Sequence, residues 1–405
     1  MSLFVFTVVL VCVEAGLFLV VKLQRRGFPW LITSNDEYPV MDAQALQKFL
    51  HNSFDPDLGW VRRPNTSGTE KGQKGTISYH IDASGSRANQ NGHPPPRVAV
   101  FGDSYAFCRQ VADDETWEAW ISKIQGYEVL NYGVGNYGVD QALMRYEGME
   151  MPDTITVAVL AFVPETISRI QSYWKHYLEF GNTFAFKPRF VLDHENRLVL
   201  LENVVRNAGD FAAYRDKLSQ IQENDRFYRT KFRSLQFRFP YILSLMRNPL
   251  RQIRLISVVG VRGMFRVLGI ANQKLESLPF ALIMRSNLRD AYRLYDDIES
   301  VKLLKAILLR FKQSAERRGH TPLVVLMPQM LDLKMNNNKT APYQKFYREM
   351  AGHLPVLDLT GKFDTGEIEQ LYINDQYGGH LSVAGNRFAA EEISNWLKRE
   401  MESNC

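Results

Sequence analysis

Five short runs of apolar residues punctuate an otherwise mixed chain: Arg97 to Phe101, Tyr127 to Leu130, Thr154 to Phe162, Pro322 to Met327 and Pro355 to Leu357. Each is rich in Val, Ile or Leu and lacks the alternation of a half-exposed strand, the pattern of strands buried on both faces of a parallel sheet. Between and after them apolar positions recur at helical spacing, over Glu115 to Ile124, Val139 to Met149, Leu294 to Arg318 and Ala384 to Met401. In the third of these, Leu303, Leu304, Ile307, Leu308 and Phe311 share one side, and Gly319 follows as a stop signal. Strand and helix in alternation predict an α/β fold with a doubly wound sheet, whose ligands bind beyond the carboxyl ends of the strands where strand order reverses.

Three stretches break that rhythm. Leu3 to Val21 is almost unbroken apolar sequence, long enough as a helix to rise about 28 Å, close to the hydrocarbon thickness of a bilayer. No basic residue precedes the run and no small-x-small cleavage site follows it, so it reads as a transmembrane anchor rather than a cleaved signal peptide. Glu14 lies near its middle, where a charge costs about 3 kcal/mol, and is expected to be neutralised, paired or turned toward another protein. Lys22, Arg25 and Arg26 follow the run, which by charge alone places the main body in the cytoplasm.

From Gly27 to Pro96 the text is polar and rich in Gly, Ser and Asn, with one amphipathic turn at Met41 to Phe49, as in a stalk or covering segment. Gly181 to Leu278 is too long for a loop. It begins with a hairpin pattern around Asp193 to Asn196, and from Arg226 to Ile270 it carries ten Lys or Arg and no acid, interleaved with Phe227, Phe232, Phe239, Leu243 and Ile253. Such a surface suits anionic lipid or an acidic polysaccharide, and equally an ordinary insertion whose arginines coat a helical pair. The organisation expected is an anchor (1–26), a stalk and cover (27–96), and a sheet domain in two parts (97–180 and 281–405) around a basic insertion (181–280).

A composition with 45% hydrophobic and 23% charged residues is that of a folded globular chain. A net charge of +5 and the absence of a recognisable binding motif give no reason to expect nucleic acid. Cys12, Cys108 and Cys405 form no CxxC, so neither a disulfide framework nor a zinc site is indicated, and no cofactor is expected.

The chemistry centres on VAVFGDSYAFC, Val98 to Cys108, where a buried strand runs into Gly-Asp-Ser. A serine hydroxyl is a weak nucleophile until a base takes its proton and donors receive the charge that develops on the substrate oxygen. Ser104 lacks the second glycine of a GxSxG elbow, since Ala106 stands there. After the second strand, NYGVGNYGVDQ (Asn131 to Gln141) is a glycine-rich turn whose amides could face an anion. Before the last helix, YINDQYGGHLSVAGN (Tyr372 to Asn386) carries Asp375 and His380. Plainer readings accompany each: Ser104 as a helix cap, Asp103 as a turn-former, Cys108 as core, and His380 as an ordinary loop histidine. GVGNYG also fits a dinucleotide fingerprint, but it follows the second strand and lacks an acid at the usual distance, so a nicotinamide enzyme is disfavoured.

The order of these blocks resembles the SGNH (GDSL-type) esterase superfamily over roughly residues 97–167 and 322–397, and LGWVRRPN upstream resembles its membrane-anchored bacterial branch. The resemblance implies a three-layer, flavodoxin-like α/β domain. In it Ser104 is the nucleophile, His380 the general base and Asp375 the acid that holds the imidazole. The oxyanion hole is formed by the amide of Ser104 and the turn at Gly135 and Asn136. It also implies periplasmic exposure from a single-pass bacterial inner-membrane anchor, against the charge rule. The activity implied is cleavage or transfer of O-acyl groups on a cell-surface glycan, with a membrane-bound acyltransferase as a candidate partner. Three departures matter. Asn136 replaces the usual glycine, tolerably, because Asn accepts left-handed backbone better than most residues. Asp375 lies five residues before His380, with Tyr377 and Gly378 at the places where the family keeps its acid. FVPETI follows the third strand where the family keeps an Asn donor, and Glu165 cannot supply that hydrogen bond. A second expectation is therefore an SGNH-fold binding or scaffold protein of a glycan-assembly complex with impaired catalysis.

Overall fold

A computed structural model describes residues 3–28, 30–90, 94–270, 273–336, 340–363, 368–373 and 379–403. In chain order, the elements that matter here are α1 (Leu3–Gly27), β1 (Thr66–Gly72), β2 (Gly75–Ile81), β3 (Pro96–Gly102), α2 (Trp117–Gln125), β4 (Glu128–Asn131), α3 (Val139–Gly148), β5 (Val157–Phe162), β6 (Arg189–Leu192), β7 (Leu198–Leu201), α4 (Tyr241–Arg247), α5 (Pro249–Val267), α6 (Ile298–Arg317), β8 (Thr321–Leu326), β9 (Val356–Asp358) and α7 (Val383–Ser403). They divide between two compact units, one comprising Met1–Leu50, Ser172–Lys187 and Val204–Ser286, the other His51–Gln171, Pro188–Asn203 and Asn287–Cys405.

The second unit holds a five-stranded sheet in the order β4-β3-β5-β8-β9, every pair parallel. This is the flavodoxin-like order, with the chain stepping from β3 to β4 on one side and then crossing to β5 on the other. Strand order therefore reverses between β3 and β5, and all five apolar runs read from the sequence become strands of this sheet. Val98, Val100, Val157, Val159 and Val325 meet Trp117 and Ile121 of α2 and Ala389, Ile393 and Leu397 of α7 on one face. On the other, Phe101 packs edge-on against Tyr146 of α3, which in turn meets Phe311 of α6. Helices thus cover both faces, completing the three-layer sandwich that continuous apolar strands require.

Gly102 ends β3 where a side chain has no room: a Cβ there would lie 1.7 Å from the Ala161 carbonyl oxygen of β5. The glycine ahead of Asp103 and Ser104 is therefore demanded by strand packing as well as by the turn. The antiparallel hairpin β1–β2, closed by Gly72 opposite Gly75, forms within the polar stretch expected to be a stalk or cover. The second hairpin, β6–β7, forms where the sequence suggests, with Asp193 accepting the amides of Glu195 and Arg197.

The first unit is built around α1. Val21, Phe28 and Leu31 pack with Phe237, Leu255, Val259 and Ile283, so that the carboxyl end of α1 shares a core with α5. Asp225 ties the unit's middle segment together by accepting the amides of Tyr173 (2.6 Å) and Trp174 (2.9 Å).

Candidate active site

Ser104 follows β3 at the reversal point of the sheet, in a turn held by Asp103. The buried Asp103 carboxylate accepts the Tyr105 amide at 2.8 Å and, across the sheet, the Val163 amide after β5 at 3.1 Å. Its pKa is raised by burial, against the pull of Arg169 and those two amides. Asp103 is thus a structural brace joining the ends of two strands, in keeping with its expected role as a turn-former.

His380 Nε2 lies 3.0 Å from Ser104 Oγ, bringing together two residues 276 positions apart. The backbone before the ring is fixed by the Tyr105 hydroxyl, which donates to the Gly379 carbonyl at 2.7 Å, and the Tyr105 ring stands 5.0 Å from the imidazole. Asp375, expected to orient this ring, lies outside the described residues. Among the described residues the partner of His380 Nδ1 is Gln110 Oε1, at 3.1 Å.

Which face Gln110 presents is set from elsewhere. Its Nε2 donates to the Lys71 carbonyl at 3.2 Å, which turns the side-chain oxygen toward His380. A carbonyl oxygen can only accept, so Nδ1 carries the proton and Nε2 is left with its lone pair toward the serine hydroxyl. The loop that carries Gln110 is itself constrained. Gln110 has φ +72°, and its amide donates to Glu70 at 3.1 Å, while Arg109 Nε donates to the same carboxylate at 3.0 Å. From beneath, the buried Arg87 guanidinium donates to the carbonyls of Phe107 (2.7 Å), Cys108 (2.7 Å) and Val111 (2.6 Å) and to Asp113 (2.8 Å). Cys108 is core, its thiol 3.1 Å from Glu118, whose carboxyl is raised to about 8 by burial.

Burial, and then the charges of Arg109 and Arg169, push the His380 pKa down to about 3. The imidazole is consequently neutral, and able to accept a proton, across the physiological range. For an enzyme that uses it as base, kcat/KM is expected to stay level from pH 8 down to about 5 and to fall only toward pH 3. A pH-rate profile with its acid limb near 6.5 would show that the ring does not sit in this environment.

The turn after β4 lies beside Ser104: a Cβ on Gly135 would be 4.0 Å from Ser104 Cβ. Trp60 Nε1 donates to the Gly135 carbonyl at 3.0 Å, and in a trans peptide this places the Asn136 N–H on the opposite side. Asn136 holds φ +70°, the left-handed conformation that makes asparagine an acceptable substitute for glycine. Among the described residues neither the Ser104 nor the Asn136 amide has a hydrogen-bond acceptor. Two such free donors beside a hydroxyl can receive an oxyanion.

Glu165, at the end of the segment after β5, is buried and accepts Gln329 Nε2 at 3.1 Å. Gln329 in turn donates its amide to Asp332 at 2.7 Å, and Tyr292 donates its hydroxyl to the same carboxylate. Burial raises Asp332 to about 7, with the nearby Glu165 and Asp358 adding to the shift. Glu165 therefore belongs to a hydrogen-bonded acidic cluster on the β8 side of the site. Gln110, Arg87, Glu70 and the Gln329–Asp332 pair were not foreseen. Only Gln110 had a signal, its place six residues after Ser104 in the same loop.

The described residues thus bring Ser104 and His380 together at the reversal point of an α/β sheet. No family model matches the sequence, and no curated protein matches it either. Among solved structures, a protein of Desulfitobacterium hafniense DCB-2 described as lipolytic and of the G-D-S-L family is similar at 11% identity and a TM-score of 0.32, over 74% of this chain and 99% of that one. A protein from Lactobacillus plantarum is similar at 10% identity and a TM-score of 0.35, over 76% and 99%. Likeness of this extent bears on neither substrate nor activity.

Proposed function

We propose that the chain is a membrane-anchored serine esterase of SGNH type that cleaves or transfers O-acyl groups through an acyl-Ser104 intermediate. The observation that carries this reading is the contact of Ser104 Oγ with an imidazole nitrogen whose opposite nitrogen is tied to Gln110. As Ser104 Oγ attacks the ester carbonyl, its proton passes to His380 Nε2, and the new oxyanion takes the amides of Ser104 and Asn136. Collapse of the tetrahedral species breaks the ester C–O bond, and His380 returns the proton to the leaving alkoxide. Water, or the hydroxyl of a second sugar, then attacks the acyl-enzyme with His380 again as base. The apolar α1 supports membrane anchorage, and the resemblance of the motif blocks supports an O-acylated cell-surface glycan as substrate, on the periplasmic side, with a membrane-bound acyltransferase as partner.

Two observations favour a scaffold as the second reading: no carboxylate contacts His380 among the described residues, and Glu165 stands where the family keeps an amide donor. A fluorophosphonate probe separates the two. Labelling of the wild-type chain and none of Ser104→Ala or His380→Ala supports the esterase; no labelling of folded wild type supports the scaffold.

A further inference from the structure

Glu14, the acid in the middle of the apolar helix, is not alone. Its carboxylate accepts the backbone amides of Tyr241 and, at 2.9 Å, Ile242, the first residues of α4. The Tyr241 ring also packs edge-on against Phe18. Ten residues further along α1, Gln24 Nε2 donates to the Ile256 carbonyl of α5 at 3.1 Å. The segment from Tyr241 to Ile256 thus runs beside α1 from its centre to its carboxyl end, a rise of about 15 Å.

Glu14 is the midpoint of the apolar window Leu3–Arg25, which is long enough to cross a bilayer. Whatever depth Glu14 has, the start of α4 has too. The outward face of this segment is what such a depth requires: Phe239 is 75% exposed, Met246 66% and Leu250 84%, with Leu243 and Ile253 beside them. Where Phe239 and Leu243 face α1 lies an apolar groove of about 740 Å³, walled on the α1 side by Leu10 and Phe18. The cations of the segment, Arg247, Arg251 and Arg254, lie toward the end that meets Gln24, where long side chains reach the headgroups.

We infer that Phe239 to Ile256 is a re-entrant element in the bilayer, docked on α1 with Glu14 accepting its first amides, its outer face covered by lipid acyl chains and its arginines meeting anionic headgroups. Backbone amides in hydrocarbon must find an acceptor, and a carboxylate in hydrocarbon must find donors; each here answers the other. Continuity with α1 and the absence of any acid from Arg226 to Ile270 commit the face to lipid.

The inference rests on reading α1 as a membrane span. The test uses the full-length protein in mixed phosphatidylcholine and phosphatidylglycerol vesicles, with one fluorescently labelled cysteine at a time, at native Cys12 or at Leu243→Cys with the three native cysteines replaced. Both labels are expected to be quenched at least twofold more by mid-chain nitroxide lipid than by headgroup nitroxide, and to be shielded from iodide. Adding Glu14→Leu is expected to move the Leu243→Cys label toward the headgroups while Cys12 keeps its depth. A shielded Cys12 with an iodide-accessible Leu243→Cys label overturns the inference and leaves the anchor standing. Iodide access at Cys12 removes the anchor and the inference together, and an unmoved label in Glu14→Leu removes the role of Glu14. Fluorophosphonate labelling of Ser104 judges the esterase independently of all these outcomes.

Discussion

Gln110→Leu is expected to lower kcat/KM toward an activated ester by about 10³- to 10⁴-fold, with little change in KM. The comparison is the loss of about 10⁴ when the orienting acid of a serine protease becomes an amide, a loss caused by the wrong imidazole tautomer. Here an amide already holds the position, but the Lys71 carbonyl turns its oxygen inward, so the productive tautomer is kept. Leucine fills the same space and leaves Nδ1 without an acceptor, freeing the ring to rotate or to protonate at the nitrogen that must accept. Gln110→Glu gives a second readout. A carboxylate at 110 would favour imidazolium, so the acid limb of the pH-rate profile should move up from about 3 toward the ordinary histidine range. A purely structural role for Gln110 would not move that limb. Should Gln110→Leu retain wild-type kcat/KM while Asp375→Asn loses it, the orienting group is Asp375, as the family resemblance implies.

The second large effect is expected at Arg87, which touches neither Ser104 nor His380. Arg87→Met should destabilise the full chain by about 3 to 5 kcal/mol, the range for breaking a buried ion pair from one side. Both Arg87 and Asp113 are 2% exposed, so among the described residues the abandoned carboxylate keeps only His80. Three carbonyls of the loop that carries Gln110 lose their donors in the same change. Arg87→Lys retains the charge but not the planar fork, and should fall between. Denaturant unfolding of the detergent-solubilised chain measures this. A loss below about 0.5 kcal/mol, typical of an ordinary surface substitution, would mean that the guanidinium does not clasp the loop.

What could be read from the sequence follows from what leaves a local trace. The five strands were legible because each is buried on both faces and so had to be written in Val, Ile and Leu. Ser104, His380 and the turn at Gly135 and Asn136 were legible because the order of their blocks around the sheet is itself a pattern. The β1–β2 hairpin left a weaker trace: TSGTEKG carries no apolar residue, and the alternation of Ile77, Tyr79 and Ile81 in GTISYHI marks one strand only. Gln110 was missed for a different reason, since its role comes from a left-handed backbone and a carbonyl on a distant hairpin. Glu14 was visible as an anomaly, and the amides that answer it lie 227 residues further on.

The proposed proton relay draws on distant parts of the chain: the carbonyl that sets the amide belongs to residue 71, the hydroxyl to residue 104 and the ring to residue 380. During synthesis Ser104 emerges long before His380, 276 residues further on, has left the ribosome. On the proposed reading, a nascent chain gains activity toward esters only once the segment that carries His380 has emerged and closed onto the sheet, together with the finished fold.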